Sequence, residues 1–163
     1  MSSQVLVPVD NFAPWARSVA KTVIEMESSD EMSVRLLHVF DEGEHQSTID
    51  NLAIDGDPSL DELAARKSAV SAAKALLQEA DFTTDIEGVK SDKPGKAILS
   101  TAEEHDVDRL YVYSRKRSPV GKAVFGSSNQ YLLFNADVPI VVLPADAAAE
   151  YAPNRESLPE IEK

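Results

Sequence analysis

Short apolar runs alternate along the chain with longer segments whose apolar residues recur every three or four positions. Gln4 to Val9 (QVLVPV) and Ser33 to Phe40 (SVRLLHVF) are compact and partly β-branched, as buried strands are. Arg109 to Tyr113 (RLYVY) and Pro139 to Leu143 (PIVVL) predict two more strands, and Thr84 to Val89 a weaker one. Between them, Val19, Ala20, Val23 and Ile24 predict a helix over 13–27, with Pro14 suited to its first turn. Leu60, Leu63, Ala64, Val70, Ala73 and Leu77 predict one long amphipathic helix over 59–80. Pro94 and Gly95 introduce another helix through Ala102, and Gly126 to Phe134 fits a shorter one. The segment 41–58 reads as a loop. It carries six acids (Asp41, Glu42, Glu44, Asp50, Asp55 and Asp57) and no lysine or arginine.

The resulting order, βαβαβαβαβ, predicts a five-stranded parallel sheet wound on both faces by helices. The domain spans residues 1–144. The stretch 145–163, with Pro153, Pro159 and five acids, reads as an acidic, flexible tail. At 163 residues the chain suits one globular domain. It has no cysteine, which excludes thiol nucleophiles and cysteine-ligated metals. Neither an 18-residue apolar run nor a leader pattern is present, so the expected location is cytoplasmic, with no membrane partner. The net charge of −12 has the wrong sign for nucleic-acid binding.

In such a sheet, ligands gather outside the carboxyl ends of the strands where the winding reverses. Those ends bring Pro8, Val9 and Asp10 near His38 and Val39, and near the loop that begins at Ser114. That loop holds Arg115, Lys116, Arg117 and Lys122, four of the chain's 16 basic residues. Gly126, Ser127 and Ser128 follow at a helix start, where unpaired amides and the helix dipole favour an anion. The alternative is a solvated basic turn capped by Ser127 or Ser128. Asp10 reads equally as a site residue or a helix cap. His38 reads as a packed, hydrogen-bonded strand residue, since His45 and His105 show no metal-ligand spacing with it. Phe12, Trp15, Tyr111 and Tyr113 read as packing residues, the two tyrosines on one face. A P-loop fails because Gly121-Lys122 has Lys116 where the first glycine belongs and Ala123 after it. A phosphoryl-receiver site fails for want of a second acid beside Asp10, and no GxSxG nucleophile elbow occurs.

VPVD at Val7 to Asp10, LLHV at Leu36 to Val39, the Pro94 helix start and the stretch from Leu110 to Leu143 resemble the universal stress protein family. The resemblance covers roughly residues 4 to 144. It implies a flavodoxin-like sandwich, of the type also called adenine nucleotide α-hydrolase-like, usually dimeric through the strand at 139–143. Some members bind ATP and some do not. The nucleotide-binding branch has the pattern Gly-x-x-Gly-x9-Gly-Ser/Thr. Here its last pair falls on Gly126 and Ser127, while Tyr113 and Lys116 occupy the first two glycine positions. By resemblance, Asp10 faces the ribose or a Mg²⁺, Val39 touches the adenine, Pro8 lines the same edge and Ser127 reaches a phosphate. Glycine in such a loop permits close backbone approach to phosphate, which Tyr113 and Lys116 do not. Lys116 can substitute a point charge. Three readings stay open: a sensor of ATP, a related nucleotide or another small anion; a ligand-free dimeric interaction module; and slow ATP hydrolysis. No acid–base–nucleophile set can be assembled for an enzyme.

Overall fold

The computed structural model describes residues 3–52, 56–114, 116–117, 123–124 and 126–144. The main sheet contains β1 (Ser3–Pro8), β2 (Met32–Phe40), β3 (Thr84–Lys90), β4 (Arg109–Tyr113) and β7 (Ile140–Leu143). All its pairings are parallel, in the order β3-β2-β1-β4-β7. The chain winds outward from β1 to β3, then returns to β4 on the other side of β1. The expected five-stranded doubly wound sheet is therefore what the chain forms. Two short strands, β5 (Lys116–Arg117) and β6 (Ala123–Val124), pair antiparallel within the basic loop.

Alternation along each strand feeds two cores. Val5, Val7, Val34, Leu36, Tyr111 and Tyr113 face α1 (Ala13–Met26) and α4 (Ser68–Glu79), with Val19, Val23, Val70 and Leu77 packed on them. The two tyrosines share this face, as their spacing predicts. Leu6, Leu37, Leu110 and Val112 face α5 (Pro94–Glu104) and α6 (Ser127–Asn135). Helices α5 and α6 approach closely at Gly95, where a Cβ would stand 3.1 Å from the Ser128 carbonyl oxygen.

Two expectations are corrected. The segment read as an acidic loop contains a helix, α2 (Glu42–Leu52). Asp41 Oδ1 accepts the Glu44 N–H at 2.7 Å and so caps its first turn. Glu42 and Glu44 sit in that first turn, where the helix dipole favours negative charge. The segment read as one helix over 59–80 is two, α3 (Leu60–Ala65) and α4. Lys67 between them is extended, at φ −69° and ψ 133°. The break lets the two halves follow different partners. Leu63 and Ala64 pack on Phe40, while Ala69, Val70 and Ala73 join the α1 core. Helix α3 lies so close to β3 that a Cβ on Gly88 would be 2.2 Å from the Leu60 carbonyl oxygen. Asp61 Oδ1 also accepts the Gly88 N–H at 2.9 Å, satisfying a donor on the edge strand.

Among the described residues, no helix is long and apolar enough to cross a membrane. The stretch 145–163 lies outside the described residues.

Candidate functional site

The carboxyl ends of β1, β2 and β4 open into a cavity of about 210 Å³. It occupies the point where the winding reverses, the place such sheets offer a ligand. Pro8, Val9, Asp10, Val39 and Ser128 all line it, so five of the expected site residues are brought together. Ser127 is an exposed first residue of α6 and is not among the lining residues, and neither is Gly126. Both nevertheless belong to the same helix start as Ser128. Arg115 lies outside the described residues. Lys116 is described only through its backbone, which pairs with Val124.

The start of α6 is held in place by side-chain and main-chain bonds. Asn129 Nδ2 donates to the Tyr113 carbonyl oxygen at 2.8 Å, tying the helix to the end of β4. The helix cap is Gly126, and among the described residues no side chain caps it. Ser127 and Ser128 therefore do not cap the helix, contrary to the alternative reading. Ser114 is fully buried at the end of β4, its N–H donating to Leu143 at 2.8 Å. Its Oγ is buried without a hydrogen-bond partner among the described residues. A buried hydroxyl left unsatisfied costs about 1–3 kcal/mol.

On the β1 side, Asp10 Oδ1 accepts the Phe12 N–H at 3.1 Å. The carboxylate thus forms a turn just ahead of α1 instead of capping through Ala13, since the helix cap is Phe12 itself. Phe12 packs edge-on to Trp15 at 5.0 Å, and Trp15 lies 5.2 Å from the Tyr113 ring. Trp15 and Tyr113 also line the cavity, so their packing forms one wall of it. The Tyr113 ring fills space against Trp15 at the end of β4.

Sequence reasoning missed Glu44, Asn11, Pro94 and Asn129, all of which line the cavity. His38 is buried, as expected, and its ring joins two of the cavity's walls. Nδ1 meets the Val9 carbonyl oxygen at 2.7 Å and Nε2 meets Glu44 Oε2 at 2.6 Å. Each ring nitrogen thus faces an oxygen, the Val9 carbonyl on one side and the Glu44 carboxylate on the other. Lys67 Nζ approaches the same Glu44 oxygen at 2.7 Å. Burial works to raise the Glu44 pKa. Hydrogen bonds from His38 and Lys67, the His38 charge and a bond from Asn11 outweigh it and hold the carboxyl at about 2. The one sequence signal near Glu44 is the Asp41-x-x-Glu44 spacing of a helix cap, which marks a helix start but not a place on the cavity wall.

A second group of potential metal ligands, Glu87, Glu104 and His105, gathers between β3 and α5. There Glu87 Oε1 takes His105 Nε2 at 2.8 Å and Arg35 Nη1 at 3.1 Å. Those two donors account for the cluster as an ion-pair network.

A doubly wound parallel sheet with a cavity at its switch point, walled by a β1 Pro-Val-Asp end and a glycine-capped helix, defines a class of small α/β domains. The chain belongs to the Universal stress protein family, whose sequence profile matches residues 1–144. A universal stress protein from Archaeoglobus fulgidus is similar in fold, with a TM-score of 0.67 and 22% identity over 87% of this chain and 98% of that one. The universal stress protein from Archaeoglobus fulgidus in complex with dAMP has a TM-score of 0.61 and 16% identity, covering 86% of this chain and 96% of that one. An Arabidopsis thaliana member with AMP bound has a TM-score of 0.58 and 14% identity, covering 96% of each chain. No curated protein matches the chain by sequence.

Proposed function

We propose that this chain is a stress-response protein that binds an adenine nucleotide, or a similar small anionic ligand, in the cleft between β1 and β4. The observation that carries this reading is the one cavity that Pro8, Val9, Asp10, Val39 and Ser128 line together. Adenine packs along Pro8 and Val39, Asp10 serves the ribose or a Mg²⁺, and the α6 amides at Gly126, Ser127 and Ser128 receive phosphate. Ser114, Arg115 and Lys116 are assigned to the anion end by the family pattern; Ser114 itself is fully buried and does not line the cavity. Relatives of the same fold with dAMP and AMP support this assignment. The role is binding and signalling in the cytoplasm, not turnover. Titration calorimetry with ATP, ADP and AMP, each with and without Mg²⁺, tests it. Measurable heats for at least one nucleotide are expected, and flat heats with an unshifted melting curve at millimolar ligand refute it.

The same chain is proposed to act as a homodimer through β7. That strand ends the sheet, and the helix before it, α6, exposes Leu133 and Phe134, Phe134 to 84%. Pairing across a two-fold covers the edge of β7. Ile140→Lys is expected to give monomer by light scattering; a monomeric wild type refutes the pairing.

The packing of Tyr113 on Trp15 favours a second reading, in which the nucleotide site is closed and the dimer alone is the working form. This reading expects the Tyr113→Gly, Lys116→Gly double variant to gain nucleotide affinity. A folded double variant without that gain counts against it.

A further inference from the structure

The cavity is unevenly charged. Its lining includes two carboxylates, Asp10 and Glu44, at the ends of β1 and β2. The only basic group on its wall among the described residues is His38, and both its ring nitrogens are already engaged. The amide-rich start of α6, with Ser128 and Asn129, lies on the other side. An anion is therefore favoured at the α6 end and opposed at the β2 end.

Glu44 is placed to do more than repel. Its backbone is fixed by Asp41, and its Oε2 is fixed by His38 and Lys67. About a fifth of its side chain stays accessible, on the cavity wall. An ionised carboxylate offers about four acceptor positions and no donor. The bonds from His38, Lys67 and Asn11 use three of them. That leaves an acceptor position on a residue that lines the cavity. The cavity volume, about 210 Å³, is below the 300 Å³ or so at which drug-sized sites begin. It suits a base with its sugar better than a whole triphosphate.

We propose that Glu44 is the specificity-determining residue of this site: its carboxylate accepts a hydrogen bond from the amino or hydroxyl groups of a nucleoside and keeps phosphates at the α6 end. The proposal rests on the nucleotide reading above and names the part of the ligand that carries recognition. Binding energy then comes mainly from the nucleoside, and lengthening the phosphate chain adds none.

Calorimetry with adenosine, AMP and ATP on the full chain tests this, together with the Glu44→Gln variant. For the wild type, adenosine binds within about tenfold of AMP, and ATP binds no tighter than AMP. In Glu44→Gln, adenosine and AMP weaken about tenfold, the loss of one charge-assisted hydrogen bond, and ATP loses less than AMP. If AMP binds and adenosine gives no heat at millimolar concentration, the Glu44 proposal fails while the nucleotide reading stands. Failure of all three ligands overturns both. A folded Glu44→Gln variant with unchanged affinities overturns the Glu44 role alone. Should the variant not fold, the wild-type ligand order decides by itself.

Discussion

Glu44→Gln also reads out how the cavity wall is held together. The carboxyl lies at about 2, against an ordinary value of 4.5. That difference corresponds to about 3 kcal/mol of folding free energy at neutral pH. A fifth of the side chain meets solvent, and screening there brings the expectation to about 2 kcal/mol. Because the folded-state value is depressed, the contribution is complete above about pH 4.5 and is lost as pH falls through about 2. Urea unfolding of wild type and variant from pH 7 to pH 3 measures it. At pH 7 the variant midpoint should lie about 1 M lower, for a slope of about 2 kcal/mol/M. The gap should hold to pH 5 and narrow toward pH 3. A gap of unchanged size at pH 3 shows the loss to be steric, and no gap at pH 7 shows that the His38–Glu44–Lys67 cluster contributes nothing; either result refutes the electrostatic account.

Other substitutions test the scaffold. Glu27 is nearly buried and takes both Arg109 Nε and Nη2, at 2.6 and 2.7 Å, as well as the Tyr111 hydroxyl. The bonds from Arg109 hold its carboxyl below the ordinary range against the effect of burial. Glu27→Gln is expected to cost about 2–4 kcal/mol by urea unfolding at pH 7, and less below about pH 4, where wild-type Glu27 itself begins to lose its advantage. An unchanged midpoint at pH 7 contradicts this. Gly88→Ala should lower the thermal midpoint by several degrees, for a cost of about 1–3 kcal/mol. Its methyl group has no room against the Leu60 carbonyl. A neutral Gly88→Ala shows that α3 can move off the sheet edge.

Four of the five strands were legible because a strand buried on two faces must be apolar along its length; β3, an edge strand carrying Asp85 and Glu87, was the weaker one. The split between α3 and α4 was not legible. Leu63 and Val70 keep helical phase across Lys67, so periodicity alone predicts continuity. Only the separate demands of Phe40 and of α1 break the helix. Helix α2 was hidden by its composition, since acids on a helix that packs beside β2 look like loop residues. Of the site, Pro8, Val9, Asp10 and Val39 were readable because β1 and β2 run parallel, Pro8 opposite Leu37, so their carboxyl ends open on the same side of the sheet. Glu44 was not, because its place on the wall depends on α2 and on a bond to His38 across the strand end. Trp15 and Tyr113 were read only as core, whereas they are core and cavity wall at once.

The central claim is that ligand enters where β1 and β4 part. Backbone amide resonances recorded during a titration with AMP test it most directly. The account predicts shifts that saturate at Val9, Asp10, Val39, Glu44, Ser128 and Asn129, with little change along β3. Shifts confined to other surfaces, or none at millimolar AMP, contradict it.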